Sequence, residues 1–82
     1  MTESEILQKL TVVLRDVFDL PDLVLKNSTT AQDIDEWDSV NHIMLLVETE
    51  RQFKVKFQTA EVEEMKNVGD LVSMIRVKLV EK

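Results

Sequence analysis

The sequence predicts an all-α fold, a four-helix bundle with a long first loop and a short third helix. Three observations carry that prediction. One glycine and one proline in 82 residues leave too few turn formers for an all-β chain. Apolar residues recur at three- and four-residue spacing in three separate stretches, the period of a helix with one buried face. The length, residues 1–82, is that of a single small domain, which buries only about 60–65% of the surface its unfolded chain exposes. So thin a core leaves little room for a deep catalytic cleft.

The first helix runs from about Glu3 to Phe18. Thr2 and Glu5 suit a capping box, in which hydroxyl and carboxylate each satisfy a free backbone N–H. Ile6, Leu7, Leu10, Val13, Leu14, Val17 and Phe18 make its apolar stripe, and Leu20-Pro21-Asp22 ends it. The second helix spans Ser39 to about Gln52, with Val40, Ile43, Leu46 and Val47 lining one side. Leu45 and Thr49 adjoin that side, and Phe53 lies beyond the end. A third covers Ala60 to Met65 behind a Thr59 cap. The fourth runs from Val68 to about Val80, capped by Asn67, with Val68, Leu71, Val72, Ile75 and Leu79 facing inward. Phe53-Lys54-Val55-Lys56-Phe57 alternates like a strand but has no second strand to pair with, so it reads as an extended connection. Nineteen residues, Asp19 to Trp37, separate the first two helices. Such a loop is functional or disordered, and Leu20, Leu23, Val24, Leu25, Ile34 and Trp37 make this one too apolar for disorder. It should pack across the bundle ends, contain a turn or two of helix, and deliver Trp37-Asp38-Ser39 to the surface.

Charge narrows the partners. Sixteen acids against ten bases give a net charge of −6, which argues against nucleic acid. From Asp16 to Glu50 nine acids face Lys26 alone; then Arg51, Lys54 and Lys56 follow at once. No run of residues is long and apolar enough for a membrane span. Met1-Thr2-Glu3-Ser4-Glu5 lacks the basic start of a signal peptide, so the expected location is the cytoplasm and the expected state a monomer. The chain has no cysteine, so any thiol chemistry needs a thiol from elsewhere.

Trp37-Asp38-Ser39-Val40 is where chemistry enters. With Asp38 as N-cap, Ser39 stands at the positive end of the helix dipole beside unpaired N–H groups. A phosphodiester on its oxygen would sit where a helix start favours an anion. The plain alternative is that an acid and a small polar residue merely start a helix.

The residues around the serine resemble the prosthetic-group helix of acyl carrier proteins. In that family an Asp-Ser-Leu motif opens the second helix, and 4′-phosphopantetheine esterifies its serine. Here Asp38-Ser39-Val40 holds that place, Ile43 matches the apolar residue after the motif, and Phe53 matches the phenylalanine fourteen residues past the serine. Thr59 to Met65 resembles the short third helix, and Asn67-Val68-Gly69-Asp70-Leu71-Val72 the start of the fourth. The resemblance implies that Ser39 carries 4′-phosphopantetheine drawn from coenzyme A. It also implies that Asp38 helps a phosphopantetheinyl transferase bind metal and coenzyme A. The chain would then be a carrier and no enzyme, holding acyl, aminoacyl or polyketide intermediates as thioesters, with room in the bundle for an apolar tail. Its partners would be the transferase and acyl-loading, elongating or transferring enzymes, docked through Asp35, Glu36, Val40, Asn41, Met44, Val47, Glu48 and Arg51.

Departures from the family pattern point to a specialised stand-alone carrier. Val40 replaces the usual leucine and is stiffer at χ1. Asn41 and Met44 stand where acids usually face basic partners, and Glu48 and Arg51 mix the sign of that face. Trp37 resembles small carriers outside primary fatty acid synthesis. Three other readings compete. Ser39 and His42, three apart on a helix, could touch as a nucleophilic pair, yet no nucleophile elbow or oxyanion hole accompanies them, and His42 is expected to be solvated or docking. Asp33, Asp35 and Asp38 hint at calcium, but the EF-hand spacing fails at Trp37, Asp38 and Met44. The last keeps the fold without the modification, as an adaptor.

Overall fold

The computed structural model describes residues Thr2 to Glu81. Helix α1, Glu3–Phe18, begins at the expected capping box. Glu5 N–H donates to Thr2 Oγ1 at 3.2 Å, and Thr2 N–H to Glu5 Oε1 at 2.9 Å. The backbone bond to Thr2, with its hydroxyl second, holds the Glu5 carboxyl below the usual range. Ile6, Leu10, Val13, Leu14 and Phe18 are buried, as the stripe predicts. The helix ends at Asp19 in the left-handed conformation, φ 55°, two residues before Pro21. Asp tolerates that region better than most side chains.

Helix α2, Ser39–Phe53, starts where expected but turns a different face to the core. Its buried residues are Leu45, Thr49 and Phe53. Of the apolar side read from the sequence, Val40, Ile43 and Val47 are 67%, 62% and 57% exposed, as a docking role for Val40 and Val47 requires, and only Leu46 is half-buried. The helix is apolar around most of its girth, so periodicity admits two buried faces. Contact with α1 decides between them. Lys9 of α1 closes that contact, its Nζ donating to the Gln52 carbonyl at 3.0 Å and lying 5.0 Å from the Phe53 ring centroid.

Helix α3, Thr59–Glu63, is shorter than expected and is capped from Gln58, not Thr59. Gln58 N–H donates to Glu61 Oε1 at 2.8 Å. Lys78 Nζ reaches the same oxygen at 2.8 Å and ties α3 to α4, Val68–Glu81. Asn67 caps α4 as expected, its Oδ1 accepting from Asp70 N–H at 2.8 Å. Val68, Leu71, Val72 and Ile75 are buried and Leu79 partly so. Helix α1 packs against both α2 and α4. Residues 54–58 form the extended connection, with Val55 buried, and no strand occurs among the described residues. No helix among them is long and apolar enough to cross a membrane.

The long loop is built into the bundle. Leu25, Ile34 and Trp37 join the core and Leu20 and Leu23 pack against it, whereas Val24 is exposed. A short 3₁₀ turn, Ala31–Asp33, supplies the expected helical element. Arg15 Nε donates to the Leu23 carbonyl at 2.8 Å. The first amides of α4 are satisfied by the same loop: Val68 N–H donates to the Thr29 carbonyl and Gly69 N–H to the Asn27 carbonyl, both at 2.8 Å. Glycine permits this approach, since a Cβ at position 69 would stand 3.0 Å from the Asn27 carbonyl oxygen.

Candidate functional site

Trp37, expected at the surface, is only 8% exposed. Its ring lies 5.7 Å from that of Phe18 at the end of α1, tilted by 43°, and such pairs contribute about 0.5–1.5 kcal/mol beyond burial. Its Nε1–H donates to His42 Nδ1 at 2.9 Å. The tryptophan therefore anchors the loop end to the first turn of α2, and of Trp37-Asp38-Ser39 only the last two are exposed.

Backbone geometry then fixes the serine. Asp38 is the N-cap with extended backbone, its Oδ1 accepting from Asn41 N–H at 2.8 Å. The Asp38 carbonyl accepts from His42 N–H at 2.8 Å. Ser39 is thus the first residue of α2, and its own amide and that of Val40 have no acceptor inside the helix. Asn41 Nδ2 donates to the Glu36 carbonyl at 2.8 Å, a second clamp between loop and helix. Asn41, expected to dock partners, is half-buried and spends its amide on this clamp. Beside Ser39 lies an open depression of about 400 Å³, lined by Ala31, Trp37, Asp38, Ser39, His42 and Ile43.

His42 is half-buried rather than solvated. The bond from Trp37 assigns Nδ1 as an acceptor, so the neutral ring carries its proton on Nε2. That tautomer has no lone pair left for the Ser39 hydroxyl, and no hydrogen bond joins the two among the described residues. Nucleophilic activation of the serine by its neighbour has no geometric support. Nor do Asp33, Asp35 and Asp38 converge: among the described residues no group of three or more His, Asp or Glu is arranged to hold a metal ion.

The remaining expected docking residues form a surface along α2. Asp35 and Glu36 are exposed in the turn before the cap. Val40, Met44 and Val47 are exposed, and Arg51 follows them at the far end. Glu48 is half-buried, held by Gln52 Nε2 at 2.9 Å, with Arg51 Nη1 at 3.9 Å. Ile43, which the sequence reading does not place among the docking residues, belongs to this surface. At about 100° per residue, positions 40, 43, 44 and 47 fall opposite the buried 45, 49 and 53, so they make one exposed apolar stripe.

Comparison with known proteins fits this architecture. No family model matches the chain. It is 30% identical over 80 residues to the acyl carrier protein of Thermosynechococcus vestitus, covering 96% of this chain and 98% of that protein. It is 31% identical over 77 residues to that of Lactobacillus acidophilus, covering 93% and 95%. A solution NMR structure of holo acyl carrier protein from Geobacter metallireducens is 44% identical and superposes with a TM-score of 0.87, over 92% of this chain and 86% of that one. With the helix order, the long anchored loop and matches running end to end, the chain belongs to the acyl carrier protein family.

Proposed function

We propose that Ser39 is the residue on which this carrier holds its 4′-phosphopantetheine arm. The observation that carries the reading is the exposure of Ser39 as the first residue of α2, with Asp38 capping behind it and two helix-start amides unpaired beside it. The arm supplies the thiol that a chain without cysteine lacks, and so the thioester on which acyl intermediates ride.

The site's own residues suit that load. The helix start favours the negative charge of a phosphodiester on Ser39 Oγ. Asp38 is held by Asn41 N–H through Oδ1, so Oδ2 points to no partner among the described residues and is free for a transferase's metal. The Phe18–Trp37–His42 assembly keeps the loop end from yielding when an enzyme closes on it. The open depression gives the first part of the arm an apolar wall in Trp37 and Ile43. Partner enzymes, namely a phosphopantetheinyl transferase and enzymes that load, extend or transfer the acyl group, would meet Ser39 through the exposed face of α2. The chain itself makes and breaks no bond in this scheme; it presents.

Incubation of the protein with coenzyme A and a broad-specificity phosphopantetheinyl transferase tests the reading by intact mass. Wild type should gain one phosphopantetheine and Ser39→Ala none. An unmodified wild type with several transferases would favour an unmodified adaptor.

A further inference from the structure

The exposed face of α2 changes character along its length. Asp35, Glu36 and Asp38 crowd the Ser39 end. The apolar stripe of Val40, Ile43, Met44 and Val47 follows. Twelve residues past Ser39, about 18 Å along the axis at 1.5 Å per residue, the stripe meets Arg51. Arg51, Lys54, Lys56 and Lys78 surround an open cavity of about 770 Å³ with Val47 at its edge. A chain of net charge −6 thus gathers four of its ten basic residues at one place. The acid of that cavity, Glu50, already accepts from Phe57 N–H at 2.8 Å. Lys78 is paired with Glu61, and Arg51 only loosely with Glu48 at 3.9 Å. Lys54 and Lys56 have no anionic partner among the described residues.

We infer that this face docks a partner protein of matching polarity, basic beside Ser39, apolar along the middle, with an Asp or Glu side chain seated among Arg51, Lys54 and Lys56. The inference rests on the carrier reading of Ser39. Charge at both ends gives the docked carrier one orientation, because a partner turned end for end would set like charges together. A membrane is the poorer occupant, since an anionic surface attracted to the lysines would also meet Asp35, Glu36 and Asp38. A second copy laid antiparallel would match the charges. Yet four aliphatic side chains are far short of the roughly 800 Å² per partner of a stable interface, and such a dimer would cover Ser39. The small area suits a contact that forms and releases quickly.

Two synthetic helical peptides test this against the full ¹⁵N-labelled chain. Both carry an apolar i, i+3, i+4, i+7 stripe with a Lys pair at one end. The other end carries a Glu pair in one peptide and a Gln pair in the second. At low salt the Glu peptide should bind about five-fold tighter, the scale of two or three partly exposed ion pairs, and shift amides from Val47 to Lys56. Raising salt should erase the difference. The variant Lys54→Gly with Lys56→Gln should also erase it, and glycine suits the left-handed backbone at position 54, φ 57°. Equal binding of the two peptides, no binding of either, or shifts confined elsewhere would overturn the proposal. So would co-sedimentation with vesicles of three parts phosphatidylcholine to one part phosphatidylglycerol, or a dimer in sedimentation velocity at micromolar concentration. Modification of wild type by coenzyme A and transferase is scored separately, so the docking proposal can fail while the carrier reading stands.

Discussion

Replacing Thr49 by valine should make the protein more stable, an uncommon result for a core substitution. Thr49 has no exposed surface, and its Oγ1 has no hydrogen-bond partner. Removing a hydroxyl from water without a replacement bond costs about 1–3 kcal/mol. Valine keeps the branched shape at Cβ and a similar helix propensity. It also puts a methyl where the hydroxyl stands, adding up to about 0.8 kcal/mol of apolar burial. A net gain of about 1–3 kcal/mol follows, with the burial part counting little because the unfolded chain is not fully extended. For a domain of this size each kcal/mol moves Tm by roughly 4–8 °C. Thermal melts followed by circular dichroism, with urea titrations beside them, should therefore show Thr49→Val melting at least about 4 °C higher with an unchanged m-value. An unchanged or lower Tm would mean that the hydroxyl has a partner in solution, the Leu45 carbonyl or a buried water, and would refute the reasoning.

Other perturbations probe the frame of the site. Asp38→Ala removes the N-cap of α2 and should cost about 1 kcal/mol, read as a lower urea midpoint; no loss would show that Asn41 Nδ2 alone holds the helix start. Gly69→Ala would ordinarily gain about 1 kcal/mol inside a helix. Here the Asn27 carbonyl at 3.0 Å should cancel that gain and loosen the loop, visible as faster hydrogen exchange at Val68 and Gly69 amides; a clean gain in Tm would contradict the tight contact. The Lys78 bond, then the Gln58 amide, hold the Glu61 carboxyl below its ordinary value of 4.5. A lowered native value means that folding favours the charged form. This contribution is complete above the ordinary value and is lost as pH falls through the lowered one. Glu61→Gln should flatten the fall in Tm below about pH 5, and an unchanged acid slope would remove Glu61 from the account.

What the sequence shows depends on how one-sided each segment is. In α1 the apolar positions from Ile6 to Phe18, all but the exposed Val12, share one side and polar residues take the rest, so helix, cap and buried stripe could all be read. In α2 the apolar residues Val40, Ile43, Met44, Leu45, Leu46 and Val47 cover most of the girth. Its buried side includes the polar Thr49, so the pattern alone does not pick the buried face. Trp37 was read with its exposed neighbours because what buries it, Phe18, lies nineteen residues earlier and only the fold brings it near. The third helix has five residues and no full stripe, and its start depends on the Glu61 carboxylate reaching back to Gln58, which mimics a Thr59 cap in the sequence. Ser39 and Asp38 were legible because a helix start is a local event. The basic cluster was not, since Lys78, more than twenty residues later in α4, lines one cavity with Arg51, Lys54 and Lys56 only in the folded chain.

The chain has four serines, Ser4, Ser28, Ser39 and Ser73, and the proposed function puts the arm on Ser39 alone. Digestion of the protein after treatment with coenzyme A and transferase, followed by fragment-ion mass spectrometry, tests it most directly. Phosphopantetheine should appear on the peptide containing Ser39, with fragment ions that place it on that residue and on none of the other three. Modification at Ser4, Ser28 or Ser73, or at Ser39 and another serine equally, would contradict it.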